Sequence, residues 1–259
     1  MRKRMVALGL AACLPAVTGC FDVEQALKLK KDMSGEAGFS MTVNMEPMML
    51  FMLRMQREMA GQKGEPTAAE IAKAKQEFLA SKKTETSGDP MAQKAEIEKS
   101  LPAGVKLLDS SVKDEGLKLS ARFRFGFDHI SKLSQIQFPK KEGADQQPGA
   151  KNPFDQPFSG LQVKDEGKTL LLTMEATNPA AEQKEQAAEM DLSPEMKKQV
   201  EDAFKGLRLA FKIDAPFEVV EHNATRKEGQ TLVWEYDLKS LEKMTPEQLA
   251  QGVRVRFRK

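Results

Sequence analysis

The sequence predicts an α+β protein: an antiparallel β-sheet built from hairpins, with helices packed on one face. Three observations predict it. Apolar and polar residues alternate in several separate runs, as where Leu117, Leu119, Ala121, Phe123, Phe125 and Phe127 interleave with Lys118, Ser120, Arg122 and Arg124. A period of two marks a strand with one covered and one wetter face. Between these runs lie stretches with helical spacing and capping residues at their starts. A charged turn ending in glycine also recurs, as Val112-Lys-Asp-Glu-Gly116, Val163-Lys-Asp-Glu-Gly167 and Thr225-Arg-Lys-Glu-Gly229, each followed by a strand pattern. A duplicated unit would produce this echo. Three hairpins meeting one turn requirement would do so more simply, because glycine accepts positive φ.

Taken in chain order, Gln25–Lys31 and Phe39–Met45 alternate around Asp32-Met33-Ser34-Gly35, which predicts an amino-terminal hairpin. Met48–Met59 reads as a helix. Thr67–Lys82 reads as a second, opened by Thr67-Ala-Ala-Glu70, a capping box in which hydroxyl and carboxylate satisfy each other's backbone amides. Met91–Ser100 reads as a third, with Asp89 as its cap, and His129–Ile136 as a short one capped by Asp128. Further apolar rows at Leu170–Met174, Leu207–Ile213, Leu232–Leu238 and Val253–Phe257 predict strands. Ser193-Pro194 and Thr245-Pro246 place a cap and a first-turn proline at two more helix starts, with Gln248 completing a second box. Residues 137–160, rich in Pro, Gln and Gly, read as a flexible surface loop, and 178–191 as an exposed segment able to form helix.

At the amino terminus, Arg2, Lys3 and Arg4 precede an apolar stretch from Met5 to Val17, closed by Thr18-Gly19-Cys20. That is the layout of a secretory signal, and the apolar run is shorter than the roughly 20 residues a membrane span needs. Val17-Thr18-Gly19-Cys20 resembles a lipobox, the processing site of bacterial lipoproteins. The resemblance implies cleavage before Cys20, acylation of its thiol and a mature α+β chain from 20 to 259, tethered to a membrane through Cys20. Phe21 rather than Asp after the cysteine leans the expectation toward the outer membrane. Removing residues 1–19 leaves 240 of the 259 residues and takes the formal net charge from +2 to −1. No strongly basic face remains, so nucleic acid is not an expected partner. Of the two cysteines, Cys13 leaves with the signal and Cys20 carries lipid. Thiol catalysis, thiolate metal sites and disulfide stapling are thereby excluded.

The densest unusual feature is methionine: Met41, Met45, Met48, Met49, Met52, Met55 and Met59. Met48, Met52, Met55 and Met59 share one helix face. Three readings compete: core packing, a plastic apolar groove for a lipid tail or partner helix, and Cu(I) capture by thioethers. Trp234 and Tyr236, the single Trp and single Tyr, share a strand face and suit core or groove lining. His129 and His222 each sit beside a polar turn residue and read as turn residues rather than metal ligands. Arg254, Arg256 and Arg258 share one face of the last strand, as a solvated edge or as a contact for lipid headgroups or an acidic partner. Nucleophile-elbow, zincin, Walker and dinucleotide-binding motifs are missing from the sequence. No catalytic residue, metal or cofactor is nominated.

Two segments resemble the LppM-like family of bacterial lipoproteins. One is Cys20-Phe-Asp-Val-Glu with its hairpin. The other is Ala215-Pro-Phe-Glu-Val-Val-Glu-His-Asn-Ala224, followed by Gly229 and Thr231-Leu-Val-Trp-Glu-Tyr-Asp-Leu238. The resemblance implies an α+β domain and lipid binding in the cell envelope, and it transfers no functional residue. The sequence therefore sets out a non-enzymatic, membrane-anchored envelope lipoprotein that binds lipid or another apolar ligand, with Met48, Met52, Met55, Met59, Trp234 and Tyr236 as candidate lining. An adaptor that binds an envelope protein is the alternative, and an enzyme of unknown type the third.

Overall fold

The computed structural model describes residues 21–62, 64–85, 90–139, 156–175 and 194–259. The strands are Phe21–Leu29 (β1), Gly35–Asn44 (β2), Val105–Glu115 (β3), Lys118–Phe127 (β4), Leu161–Asp165 (β5), Thr169–Met174 (β6), Arg208–Asp214 (β7), Glu218–His222 (β8), Arg226–Glu228 (β9), Thr231–Asp237 (β10) and Val253–Arg258 (β11). The helices are Met45–Met59 (α1), Ala68–Glu85 (α2), Pro90–Ser100 (α3), Pro194–Ala203 (α4), Leu238–Lys243 (α5) and Pro246–Gln251 (α6), with a 3-10 helix at Ile130–Gln135. The architecture is α+β, as the alternation predicts. It departs from the expectation in two ways. The strands form two sheets, a seven-stranded one ordered β3-β4-β2-β1-β7-β10-β9 and a four-stranded one ordered β5-β6-β11-β8. Every pairing is antiparallel except β1 with β7, which run parallel.

One continuous core draws on the inner faces of both sheets. Leu27, Phe39, Phe125, Ile213 and Trp234 come from the large sheet; Leu161, Leu172, Val255 and Phe257 come from the small one. Ile97 of α3 and Ile130 and Leu133 of the 3-10 helix join the same cluster. Burying a Leu, Val or Phe side chain contributes about 1.5–3 kcal/mol each, so this cluster is the main driving force among the described residues. Phe138 and Phe158 lie inside the two ends of the stretch 137–160 read as a surface loop, and both pack on the core instead. The Phe138 ring lies tilted, 4.8 Å from that of Phe123, and Phe158 is fully buried. Residues 140–155, together with 176–193 and Asp89, lie outside the described residues.

The amino-terminal hairpin forms as read, but starts earlier, at Phe21. Gln25 breaks the inward apolar row there, and it is satisfied by donating to the Pro157 carbonyl. In its turn the Asp32 carboxylate accepts from both the amide and the hydroxyl of Ser34, and Met33, not the glycine, takes positive φ (65°). Gly35 serves a different need: a Cβ there would stand 2.0 Å from the Lys28 carbonyl oxygen. The three charged turns are the hairpin turns β3-β4, β5-β6 and β9-β10, with Gly116, Gly167 and Gly229 at φ 76°, 82° and 63°. Three hairpins with one turn solution therefore account for the echo. α1 begins at Met45 rather than Met48, because Asn44 accepts the Glu46 amide and ends the strand. The 3-10 helix is capped by His129, whose Nδ1 accepts from the Ser131 amide, and not by Asp128. Both Asp237 and Thr245 form reciprocal capping boxes, the second with Gln248 as read from the sequence.

The chain passes from the small sheet to the large one between β8 and β9, and Asn223 makes the joint. Its side-chain oxygen accepts from the Trp234 indole N–H at 2.7 Å and from the Arg254 amide at 2.9 Å. Its side-chain amide donates to the Gly252 carbonyl at 2.8 Å. Trp234 has no exposed surface, so its N–H depends on Asn223 for an acceptor. Asn223→Ala is expected to cost about 2–3 kcal/mol, because two donors lose their acceptor and a carbonyl loses its donor. Urea unfolding followed by the emission of the single tryptophan measures this directly, and a midpoint unchanged from wild type would refute it.

Candidate functional site

The site is built at one end of the large sheet. In register, Phe21 of β1 lies beside Val43 of β2, and Val43 beside Leu119 of β4. β7 enters at the same end with Arg208, and β10 leaves it with Asp237. Three helices gather there. α1 leaves β2 directly, with the Met45 amide donating to the Leu117 carbonyl at 2.8 Å. α2 brings Leu79 against the β3-β4 turn, where a Cβ on Gly116 would lie 3.2 Å from its methyl carbon. α4 packs on α1 and leads into β7.

α1 is apolar along most of its length, yet only Met49 is fully buried. At 100° per residue, Met48, Met52, Met55 and Met59 fall within an arc of about 60°. Glu46, Arg54 and Arg57 fall on the other side of the helix. Each is paired there: Glu46 with Lys75 at 2.6 Å, Arg54 with Glu65 at 2.8 Å, and Arg57 with Glu70 at 2.6 Å. The charged side thus faces α2 and the segment leading into it. The methionine stripe faces outward, with Met52 51% and Met59 76% exposed, and Met48 and Met55 half-buried.

The other proposed lining residues sit elsewhere. Trp234 lies inside the inter-sheet core, edge-on to Phe211 at 5.9 Å. Tyr236 is half-buried on the same inner face, opposite Leu209, and burial raises its hydroxyl pKa. No residue of α1 belongs to the core cluster that holds Trp234. The histidines stay apart from the methionines as well: His129 caps the 3-10 helix beyond Phe127, at the opposite end of the sheet, and His222 accepts the Ala224 amide at the β8-β9 corner. Among the described residues no group of three or more His, Cys, Asp or Glu side chains is placed to hold a metal. No polar or charged residue among them is fully buried. Among them, too, no helix is long and apolar enough to cross a membrane. Cys20 lies outside the described residues.

The arginine stripe of β11 is not an edge, since the strand runs between β6 and β8. Its charges are met within the chain: Arg254 by Glu221 at 3.7 Å, Arg256 by Glu166 at 3.0 Å and also by Glu221, and Arg258 by Glu218 at 2.8 Å.

A charged node that sequence reading missed lies on the outer face of the large sheet, beside the helical end. Arg208 contacts Asp22 at 3.0 Å, Glu24 at 2.9 Å and Glu235 at 3.0 Å, joining β1, β7 and β10. Lys212 adds a contact to Glu24 at 2.9 Å, and Arg226 one to Glu235 at 2.6 Å. Partial burial pushes the Glu24 carboxyl up, but hydrogen bonds and charge from Lys212 and Arg208 outweigh it and hold the group below the usual range. The Arg226 hydrogen bond, with help from Arg208, holds Glu235 down against its smaller burial. The one available signal was the period-two placement of Asp22 and Glu24, opposite a strand that the sequence could not identify as a neighbour.

No protein-family model matches the sequence, and no curated protein matches it. Among solved structures the chain is similar to the NMR structure of the folded domain of the Mycobacterium tuberculosis LppM protein. The identity is 10%, the coverage is 93% of this chain and 90% of that one, and the TM-score is 0.41. The likeness is weak and reaches nearly the full length of both chains. No residue role is carried from it.

Arg208→Leu leaves three carboxylates together and removes their shared cation. It is expected to destabilise the fold by about 2 kcal/mol at pH 7, between the values for exposed and buried pairs. Because Glu24 and Glu235 titrate lower in the folded state, their contribution is whole above an unfolded pKa of about 4.3 and fades as pH falls through the folded values. The gap between wild type and variant should therefore shrink markedly by about pH 3. Paired urea titrations at the two pH values check this, and a gap independent of pH would contradict it.

Proposed function

We propose that this chain is a non-enzymatic bacterial envelope lipoprotein, acylated on Cys20, that binds lipid or another apolar ligand at its helical end. The observation that supports it most is the outward methionine stripe of α1, set at the end of the sheet where the chain leaves Cys20. A flexible, polarizable thioether row adapts to the irregular outline of an acyl chain better than branched side chains do. The aromatic residues of the inter-sheet core are buried, Trp234 and Phe125 fully so, whereas Met52 and Met59 are exposed. Outer-membrane attachment is part of the same reading, resting on Phe21 after the cysteine.

A second reading, an adaptor for an envelope protein, draws on a different feature. The edge strand β3 bulges between Leu107 and Asp109 and leaves Leu108 47% and Val112 45% exposed. An open edge with apolar side chains is a ready template for strand addition.

Two measurements test the leading reading. Cys20→Ser is expected to give an unprocessed precursor without acyl label in a bacterial host, and normal acylation of that variant would remove the anchor from the picture. The chain from Phe21 onward, which keeps all of β1, is then purified from membrane-containing cells and examined by native mass spectrometry. A stoichiometric apolar adduct is expected, and it should be lost when Met52 and Met59 are both changed to Glu. A clean apo mass in several hosts would shift the reading to the adaptor.

A further inference from the structure

We infer that the Met48, Met52, Met55 and Met59 stripe of α1 seats in the surface of the same bilayer that holds the acyl chains. The domain would then dock flush on its membrane by the helical end instead of standing off on a tether. This rests on the acylation of Cys20 proposed above and names the bilayer itself as the apolar partner.

The first support is the length of chain between anchor and fold. β1 begins at Phe21, the residue that follows Cys20, and Phe21 is already in register with Val43. Consecutive Cα atoms are about 3.8 Å apart, so no linker separates the lipidated residue from the sheet. Asp22, one residue further on, is fastened by Arg208. An acylated Cys20 would thus hold this end of the sheet at the headgroup layer.

The second support is what that end presents. α1, α2 and α4 gather around it, and α1 pairs its charged side at the surface with Lys75, Glu65 and Glu70. The side left open carries thioethers, with Met52 and Met59 more than half exposed. In water two exposed methionines on one helix face leave apolar surface uncovered, beside the exposed Gln56 and Glu58. Against a bilayer it is the arrangement of an interfacial helix, whose apolar face settles about 5–10 Å into the headgroup and acyl boundary. The anchor makes that contact intramolecular, so a shallow face too weak to bind membranes alone would still be occupied.

The test uses the full chain, produced in a bacterium and reconstituted into vesicles of phosphatidylethanolamine and phosphatidylglycerol. Single cysteines are introduced as Met52→Cys, Met59→Cys and, in the exposed turn at the far end of β1, Lys31→Cys. Each is labelled with an environment-sensitive fluorophore, and the Trp234 emission reports that the fold is intact. Labels at 52 and 59 are expected to shift to the blue and to be quenched several-fold more than the label at 31 by a quencher carried on lipid. If they are quenched no more than the label at 31 while Cys20 carries acyl chains, the docking is wrong and the lipoprotein reading stands. If they are shielded from both the lipid-borne quencher and aqueous iodide, a protein covers the stripe and the docking is again overturned. If Cys20 carries no acyl chain, the anchor reading fails and the docking falls with it.

Discussion

The parallel pairing of β1 with β7 is the contact on which the rest of the molecule depends. It joins residues 22–28 to 208–214, and no other strand pair connects the four amino-terminal strands of the large sheet to the three carboxy-terminal ones. Parallel ladders are slightly weaker per residue than antiparallel ones, and closing so long a loop carries its own entropic cost. Arg208 adds to this pair what the ladder lacks. A planar guanidinium with five fixed donors can hold carboxylates from two neighbouring strands at once, and here it holds Asp22 and Glu24 on one side and Glu235 on the other. Ala210 and Val233 are buried on this otherwise polar face, in register with Glu24, Glu235, Lys212 and Arg226. The aliphatic stems of such a lattice shelter apolar residues that no helix needs to cover.

With the large sheet closed in this way, its inner face needs a cover, and the small sheet provides it. The cover is registered by polar contacts more than by shape. Asn223 sits where the chain changes sheets and reads three partners at once: an indole from the large sheet, an amide of β11 and the carbonyl of Gly252 just before it. Apolar packing alone would allow the sheets to slide, since the hydrophobic effect has no direction. A buried donor that finds its acceptor in only one arrangement removes that freedom.

The sequence disclosed elements whose cause is local and concealed those whose cause is distant. The period-two rows at Phe123–Phe127 and Val253–Phe257 became β4 and β11, and the Thr245 to Gln248 box became the start of α6, because alternation and capping are decided within a few residues. β3 was hidden by the bulge at Leu108, which shifts the register and spoils the alternation midway. β8 was hidden because Val219 and Val220 are adjacent, so neither face reads as apolar. The division into two sheets and the β1-β7 contact left no local trace at all. The methionine stripe was legible as a face, but its direction was not. Outward exposure follows from the ion pairs of Glu46, Arg54 and Arg57, whose partners lie 11 to 29 residues away.

That direction bears on why the stripe is methionine rather than leucine. A stripe packed against α2 or α4 would gain from branched side chains with defined rotamers, which fix a single geometry. A stripe that meets a surface of no fixed shape gains from unbranched, polarizable chains that conform at low steric cost. The same helix shows both regimes. On the α2 side Glu46, Arg54 and Arg57 each reach one oppositely charged side chain, and Met49 is the one fully buried residue of the helix. On the other side Met52 and Met59 are more than half exposed. A charged side paired with α2 and the segment leading into it, and a methionine side left partly exposed, on one helix, is what the acyl-chain contact proposed above would use.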